Sequence, residues 1–115
     1  MTLKHLVPGA VNSRAVIHDG YIFMSGIVAD NKSADMKAQT TDVLVKIDGI
    51  LATAGSDKTK IVSVVVYISD MVLKDEMNQA WIEWIGSHNP PARACVGVML
   101  TPDTLVEIMC EAVQG

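Results

Sequence analysis

The stretch IVSVVVYIS, residues 61–69, decides the fold of this chain. It is dense in β-branched residues and carries no charged side chain, a composition typical of a strand that is covered on both faces. We therefore predict a central strand of a β-sheet here. The patterns on either side of this strand predict what covers it.

Helical periodicity flanks the central strand on both sides. Upstream, the pattern begins after Ser33, a predicted N-cap, and ends at Gly55, with apolar residues at Met36, Val43, Leu44, Ile47, Ile50, Leu51 and Ala54. Downstream, His88-Asn89-Pro90-Pro91 ends a second pattern, with apolar residues at Leu73, Met77, Ala80, Trp81 and Trp84. The sequence predicts a long amphipathic helix before the central strand and another helix after it.

Short β-rich runs occupy the two ends of the chain. Residues 15–18 and 21–28 flank Asp19-Gly20, a dipeptide suited to a type I′ hairpin turn. Residues 92–100 and 105–113 are two further predicted strands, joined across a turn. The element order is ββαβαββ, and we predict one α+β domain over residues 1–115 with two helices on one face of a mixed sheet.

Alternation in the last two strands divides their side chains between two faces. Arg93 and Cys95 share a face of the first strand, and Glu107 and Glu111 share a face of the second. We expect the helices to leave the face with Arg93 and Glu107 uncovered. Because half of the residues are apolar and only 19% are charged, we also expect a partner subunit to cover that face.

Composition limits the classes of function. The formal net charge is −4, and the nine lysines and arginines are scattered along the chain, which disfavours nucleic-acid binding. No apolar run reaches the roughly 18 residues of a membrane helix, so no membrane association is predicted. The two cysteines form no CxxC pair and the first ten residues lack a signal-peptide core, so we expect a cytoplasmic protein.

No cofactor is expected from the sequence. His5, His18 and His88 have no mutual spacing typical of a metal site. The chain also contains no phosphate-binding loop and no dinucleotide fingerprint.

Four segments, in this order and spacing, resemble the RidA (YjgF-type) family. They are Ser25-Gly26, Ala54-Gly55-Ser56, Val66-Tyr67-Ile68-Ser69-Asp70-Met71 and Pro91-Ala92-Arg93-Ala94-Cys95-Val96. The resemblance extends to Val106-Glu107-Ile108 and covers nearly the whole chain. Residues 81–84 (WIEW) and 13–16 (SRAV) are most similar to a YoaB-like branch of the family.

The resemblance implies a fold, an assembly and an activity. The fold would be chorismate-mutase-like, and the assembly a homotrimer with ligand clefts between subunits. Members of the founding branch hydrolyse 2-imino or enamino acids to 2-keto acids and ammonia, which implies a small 2-imino or keto acid as the partner of the cleft. We expect the same hydrolytic deaminase activity here.

The resemblance also assigns roles to single residues. Arg93 matches the family arginine that binds the carboxylate, for which its planar fork is suited. Glu107 stands where the family places the carboxylate that activates water, and Glu111 is a weaker candidate. Cys95 and Gly26 match a cleft cysteine and a glycine whose amide approaches the ligand.

The main departure from the founding branch lies at Asn12. The family has a tyrosine before the first strand that reaches into the cleft, and Asn12 or Ser13 stands there in this chain. Asn12 is therefore the predicted ligand contact at this place. The phenol of the founding branch is therefore absent from this chain.

Other interpretations of these residues stay open. Arg93 could form a structural ion pair with Glu107 or Glu111, Cys95 could be inert packing, and Gly26 a plain turn glycine. At the level of the whole chain, the alternative is a non-catalytic trimer that binds small carboxylates or regulates a partner. An RNA-directed activity is a third hypothesis, which the negative net charge disfavours.

Strand geometry restricts how Arg93 and Glu107 can act together. If the last two strands formed a tight hairpin with Met99 opposite Glu107, Arg93 would lie roughly 20 Å along the strand from Glu107. One small ligand could not contact both. Either the two strands are not neighbours in that register, or the site joins Arg93 of one subunit to Glu107 of the next.

Overall fold

The central strand lies where the sequence predicts it, in a sheet of seven strands. The computed structural model of the protein describes residues 2–115. Its elements follow the order β1 (Lys4–Pro8), β2 (Ser13–His18), β3 (Tyr21–Met24), β4 (Ile27–Val28), α1 (Met36–Thr53), β5 (Ile61–Ile68), α2 (Lys74–Ile85), β6 (Ala92–Gly97) and β7 (Val106–Val113). Two short 3₁₀ turns, Lys58–Lys60 and Met71–Leu73, precede β5 and α2.

The sheet is mixed, and β5 lies between the last two strands of the chain. Its order is β1-β2-β3-β7-β5-β6, with β4 paired to the remaining length of β7. Only β5 and β6 pair in parallel among these strands. The tight hairpin between β6 and β7 is therefore excluded, and the first of the two sequence-based alternatives is confirmed.

Both helices cover one face of the sheet and pack against each other. The core between the layers holds alternate residues of the strands, including Val64, Val66 and Ile108, together with the apolar faces of α1 and α2. The predicted α+β class with two helices on one face is confirmed. Neither helix in the described part of the chain is long and apolar enough to cross a membrane.

Local turn chemistry is confirmed at two places. Asp19 and Gly20 have φ values of 49° and 79°, the left-handed geometry of a type I′ turn between β2 and β3. Gly55 ends α1 with φ 78°, a conformation that glycine adopts without steric cost. These turns fix where the neighbouring strands and the long helix stop.

Several elements differ from the prediction, including β2, which begins at Ser13 rather than at residue 15, and β6, which ends at Gly97 rather than at residue 100. The N-cap of α1 is Asp35, whose carboxylate accepts from Ala38 N at 2.9 Å, while Ser33 donates to Asn31 Oδ1 instead. The predicted run over residues 21–28 is divided at Ser25, whose N and Oγ donate to the Arg14 carbonyl. Strand β1 was not predicted, because as an exposed edge strand it lacks an alternating apolar pattern.

The predicted face of Arg93 is wrong. In the parallel pairing of β5 with β6, Arg93 lies opposite Val64 and Cys95 opposite Val66, and both valines are buried under the helices. Arg93 and Cys95 therefore point to the helix face. The prediction assumed that the alanines of β6 faced the helices. Arg93 can face them instead because β6 lies at the sheet edge, where side chains of helix α2 contact the guanidinium.

The opposite face of the sheet, here called the open face, carries no helix. Its members lie in rows across β3, β4, β7, β5 and β6, and they are Phe23, Val28, Val65, Tyr67, Ala94, Val96, Glu107, Met109 and Glu111. Several large apolar side chains on this face are exposed, among them Phe23 at 45% and Val96 at 40%. An exposed apolar sheet face of this kind is typical of a protein–protein contact surface.

Candidate functional site

Glu107 lies on the open face, directly against Gly26. Neighbouring Val106 and Ile108 are fully buried, so the alternation of β7 turns Glu107 away from the helices. A Cβ on residue 26 would lie 2.8 Å from Glu107 Cδ, and closer still to Oε2. Only glycine leaves room for the carboxylate here, and the two predicted site residues are therefore brought together.

The Glu107 carboxylate has no cationic partner within 4.0 Å in residues 2–115. Its neighbours along the open face are Val28 on β4 and Tyr67 on β5, which pair with it on either side. A half-buried carboxylate without an ion pair is free to accept a proton or a hydrogen bond from a ligand. It thus meets the geometric requirement for a general base on an accessible surface.

Asn12 and Gly26 line the same groove, here called the Gly26 groove. Its volume is about 410 Å³, and its polar lining includes Asn12, Arg14, Ser25 and Lys46. Asn12 follows a tight turn in which its carbonyl accepts from Gly9 N at 2.8 Å. The groove is within the size range of small-molecule sites, and three of the predicted residues, Asn12, Gly26 and Glu107, meet at or beside it.

Helix α2 holds Arg93 at the edge of the sheet. Arg93 Nη2 donates to Asn78 Oδ1 at 2.7 Å, and Nη1 contacts Met77 Sδ at 3.6 Å. The guanidinium carbon lies 5.0 Å from the centre of the Trp81 ring, within the range of a cation–π interaction. These contacts fix the orientation of the guanidinium while leaving most of its five donors without a protein acceptor.

Arg93 forms no ion pair within the described chain. No carboxylate of residues 2–115 lies within 4.0 Å of its guanidinium nitrogens. The alternative that Arg93 neutralises Glu107 or Glu111 within one chain is therefore wrong. Held in place but not neutralised, Arg93 is suited to bind an anion from outside its own chain.

Arg93 and Glu107 lie far apart in a single chain. Arg93 is level with Val64, whereas Glu107 is level with Tyr67, three residues further along β5 and on the other side of it. With strand spacings of about 4.8 Å and a rise of about 3.3 Å per residue, their Cα atoms are roughly 14 Å apart. Since they also project from opposite faces, one small ligand cannot contact both within one chain.

The two cysteines have different surroundings. Cys95 is half-buried and packs against the core on the same face as Arg93. Cys110 is buried, with its sulfur 3.2 Å from Met24 Sδ. Burial, assisted by the nearby Glu111 carboxylate, raises the pKa of the Cys110 thiol to about 12. Cys110 is therefore an inert core residue at neutral pH.

Three neighbours of the predicted residues were missed from the sequence. Asn78 and Trp81 hold Arg93, and Tyr67 lies opposite Glu107. The helical spacing of Trp81 indicated a core residue, which is correct, but nothing local indicated its contact with a strand that begins eleven residues later. Residues 2–115 contain no cluster of three or more His, Cys, Asp or Glu suited to a metal ion.

Comparison with known proteins is consistent across sequence and structure. Residues 2–114 match the family model Endoribonuclease L-PSP. The RutC family protein YoaB of Escherichia coli is 32% identical over 109 residues, which span 94% of this chain and 95% of YoaB.

Solved structures give the same result. A YjgF family member from Neisseria meningitidis superposes with a TM-score of 0.96 at 40% identity, over 100% of this chain and 97% of that one. A protein of unknown function of the conserved Rid family from Yersinia pestis superposes with a TM-score of 0.85 at 29% identity, over 91% and 89% of the two chains. The resemblance stated from the sequence is confirmed.

Proposed function

This chain belongs to the Endoribonuclease L-PSP family, which includes the RutC and YjgF proteins, and from that premise we propose that it is a hydrolytic deaminase of reactive 2-imino and enamino acids. The products are 2-keto acids and ammonia. Arg93 binds the substrate carboxylate and Glu107 activates the water. The two residues act from neighbouring subunits of a homotrimer in the cytoplasm.

The main observation behind this proposal is that Arg93 is held in a fixed orientation without an ion pair. Its guanidinium is oriented by Asn78 and Trp81 but meets no carboxylate of its own chain. An oriented guanidinium loses little freedom when it binds, and its fork matches both oxygens of a carboxylate. A 2-imino acid presents such a carboxylate next to the carbon that has to be hydrated.

Glu107 supplies the complementary function. It accepts a proton from water as the water oxygen forms a bond to the carbon of the protonated imine, and the C=N π electron pair moves to nitrogen. Glu107 then passes this proton to the nitrogen of the neutral carbinolamine. The C–N bond breaks and releases ammonia, the C–O bond becomes C=O, and the hydroxyl proton returns to Glu107, which leaves the 2-keto acid. An enamino acid first takes up a proton on carbon to become the imine.

The distance between the two residues supports an assembly of more than one chain. Since Arg93 and Glu107 face opposite sides of the sheet, a shared ligand requires two chains. Strand β6 lies at an edge of the sheet, and the open face of each chain is apolar enough to need a cover. If the edge of one subunit meets the open face of the next, Arg93 approaches the Gly26 groove and both requirements are met.

A coupled assay tests the activity. The protein is added to an amino-acid oxidase or dehydratase reaction, and the release of ammonia and keto acid is followed with a panel of amino acids. We expect faster release with the wild type, a loss of about 10- to 100-fold in kcat/KM for Arg93→Lys, because the fork is lost, and about 100-fold or more for Glu107→Gln. Lys74→Gln, an exposed charge change at the start of α2, is the matched control.

A non-catalytic carboxylate-binding trimer is the second candidate, and Asn12 favours it. The groove beside Glu107 contains the amide of Asn12 where the founding branch has a phenol. Binding of pyruvate without any acceleration across the whole amino-acid panel would support this candidate and contradict the deaminase. If Arg93→Lys abolishes this binding of pyruvate, the carboxylate site would still be assigned to the cleft that contains Arg93.

A further inference from the structure

A second groove lies between the β1–β2 pair and helix α1, here called the β1–α1 groove. Its volume is about 300 Å³, and its walls are Leu6, Val7, Gly49, Ile50 and Thr53. Two cations, Arg14 and Lys46, stand at the point where it meets the Gly26 groove, because both residues line both grooves. The surface thus combines an apolar floor with a positively charged mouth.

The two cations at this mouth are not equivalent. Lys46 Nζ donates to Asp30 Oδ1 and to the Val28 carbonyl, each at 2.8 Å, so its charge is already balanced. The Arg14 guanidinium has no ion pair and makes no hydrogen bond within residues 2–115. Arg14 is therefore the cation that remains available to an anion.

Val7 is strained where the two grooves meet. Its φ is 47°, in the left-handed region that a β-branched residue rarely adopts, and its side chain is 70% exposed. The β1–β2 ladder is regular on either side of it, from Leu6–Ala15 to Pro8–Ser13. Strain of this kind is concentrated at ligand-binding positions.

Gly49 keeps the floor of the groove open. It lies within α1, where glycine lowers helix stability, and a Cβ at this position would meet no atom within 4 Å. Neither a turn nor a close backbone contact requires a glycine here. The missing side chain instead adds space between Ile50 and the β1 strand.

We propose that the β1–α1 groove binds a monocarboxylate with a short hydrocarbon tail. The carboxylate pairs with the Arg14 fork, and the tail lies against Leu6 and Ile50 above Gly49. A volume of about 300 Å³ holds about ten water-sized groups, which suits a chain of about six carbons. This site requires neither Arg93 nor Glu107, so it can be tested independently of the proposed deaminase activity.

The test is a titration of the protein with hexanoate, followed by amide chemical shifts in NMR spectra. We expect the largest shifts around residues 6–7, 14 and 49–53. Affinity should rise by up to about fourfold for each methylene from butanoate to hexanoate. Neutral hexanamide should bind about tenfold more weakly or worse, because the charge-assisted pairing is lost.

Four variants separate the parts of this proposal. Arg14→Gln should weaken hexanoate binding about tenfold or more, and Gly49→Leu should abolish it by filling the groove. Ala52→Leu, which adds the same side chain at an exposed α1 position outside the groove, and Arg93→Gln should bind like the wild type. If Gly49→Leu does not fold, Thr53→Leu fills the same space from an exposed helix position.

Three outcomes would overturn the proposal. One is hexanoate binding no tighter than acetate. Another is wild-type affinity in both Arg14→Gln and the groove-filling variant. The third is a set of chemical-shift changes centred on residues 93 and 107, together with loss of binding in Arg93→Gln. This result would place hexanoate in the deaminase cleft. It would support the deaminase proposal and contradict the β1–α1 groove site.

Discussion

The Glu107 carboxylate lies across the Cα of Gly26, at a distance that leaves no room for a side chain on residue 26. Two strands create this contact, because the short β4 pairs with β7 and places residues 26–28 beside Glu107. Gly26, which the sequence alone would allow to be a plain turn glycine, therefore determines the position of the Glu107 carboxylate. The position of Glu107 depends on that glycine more than on any charged partner.

Replacing Gly26 with alanine should therefore displace Glu107. The new Cβ overlaps the carboxylate, but the carboxylate is the free end of a flexible, half-buried side chain and can swing away, so the unfolding free energy should change by about 0.5 kcal/mol or less. A general base displaced by about 1 Å should also lose about 100-fold in kcat. Urea unfolding and the coupled deaminase assay measure the two effects. Gly49→Ala, whose Cβ meets nothing, is the control, and equal activity in the two variants would contradict the role of the contact.

Removing the Asn78 amide should loosen Arg93. Asn78→Ala loses a hydrogen bond to a charged group, so we expect KM to rise about tenfold with a smaller change in kcat. Asn78→Asp should raise KM further, because the new carboxylate occupies the guanidinium. The exposed neighbour Gln79→Ala serves as the control. A KM in Asn78→Ala equal to that of the control would show that Arg93 does not need this contact.

The buried thiol of Cys110 should make stability depend on alkaline pH. Its pKa is raised to about 12 in the folded protein, from an ordinary 9.0, so the unfolded chain loses this proton first. The unfolding free energy should therefore decrease between about pH 9 and pH 12, by up to about 1.4 kcal/mol per pH unit from this group.

Urea unfolding of the wild type and Cys110→Ala across that pH range isolates this contribution. The slope with pH should be shallower in Cys110→Ala than in the wild type. Parallel curves for the wild type and Cys110→Ala would contradict the burial of the thiol. Iodoacetamide at pH 8 should also leave Cys110 unmodified in the folded protein.

Much of the fold could be predicted because it depends on local chemistry. The Asp19-Gly20 turn, the end of α1 at Gly55 and the charge-free strand over residues 61–69 are each determined within a few residues of sequence. The face of Glu107 on β7 was also predicted correctly, since Glu107 alternates with buried neighbours. Patterns of this length are sufficient to predict helices and strands, and to predict which face of an interior strand is buried.

The orientation of Arg93 could not be predicted because it depends on a distant pairing. The register of β6 is set by its parallel alignment with β5, thirty residues earlier, and by the contacts with Asn78 and Trp81 on α2. In an edge strand, alternation alone does not say which set of side chains faces the helices. The absence of an apolar pattern likewise concealed β1.

The central claim is that Arg93 of one subunit acts with Glu107 of the next. Arg93→Ala and Glu107→Gln chains, each inactive alone, are co-expressed with different affinity tags, and trimers are purified on both tags in turn. In every such mixed ring one of the three interfaces carries both intact residues, so we predict about one third of the wild-type deaminase activity. Mixed trimers as inactive as either parent would contradict a site shared between neighbouring subunits.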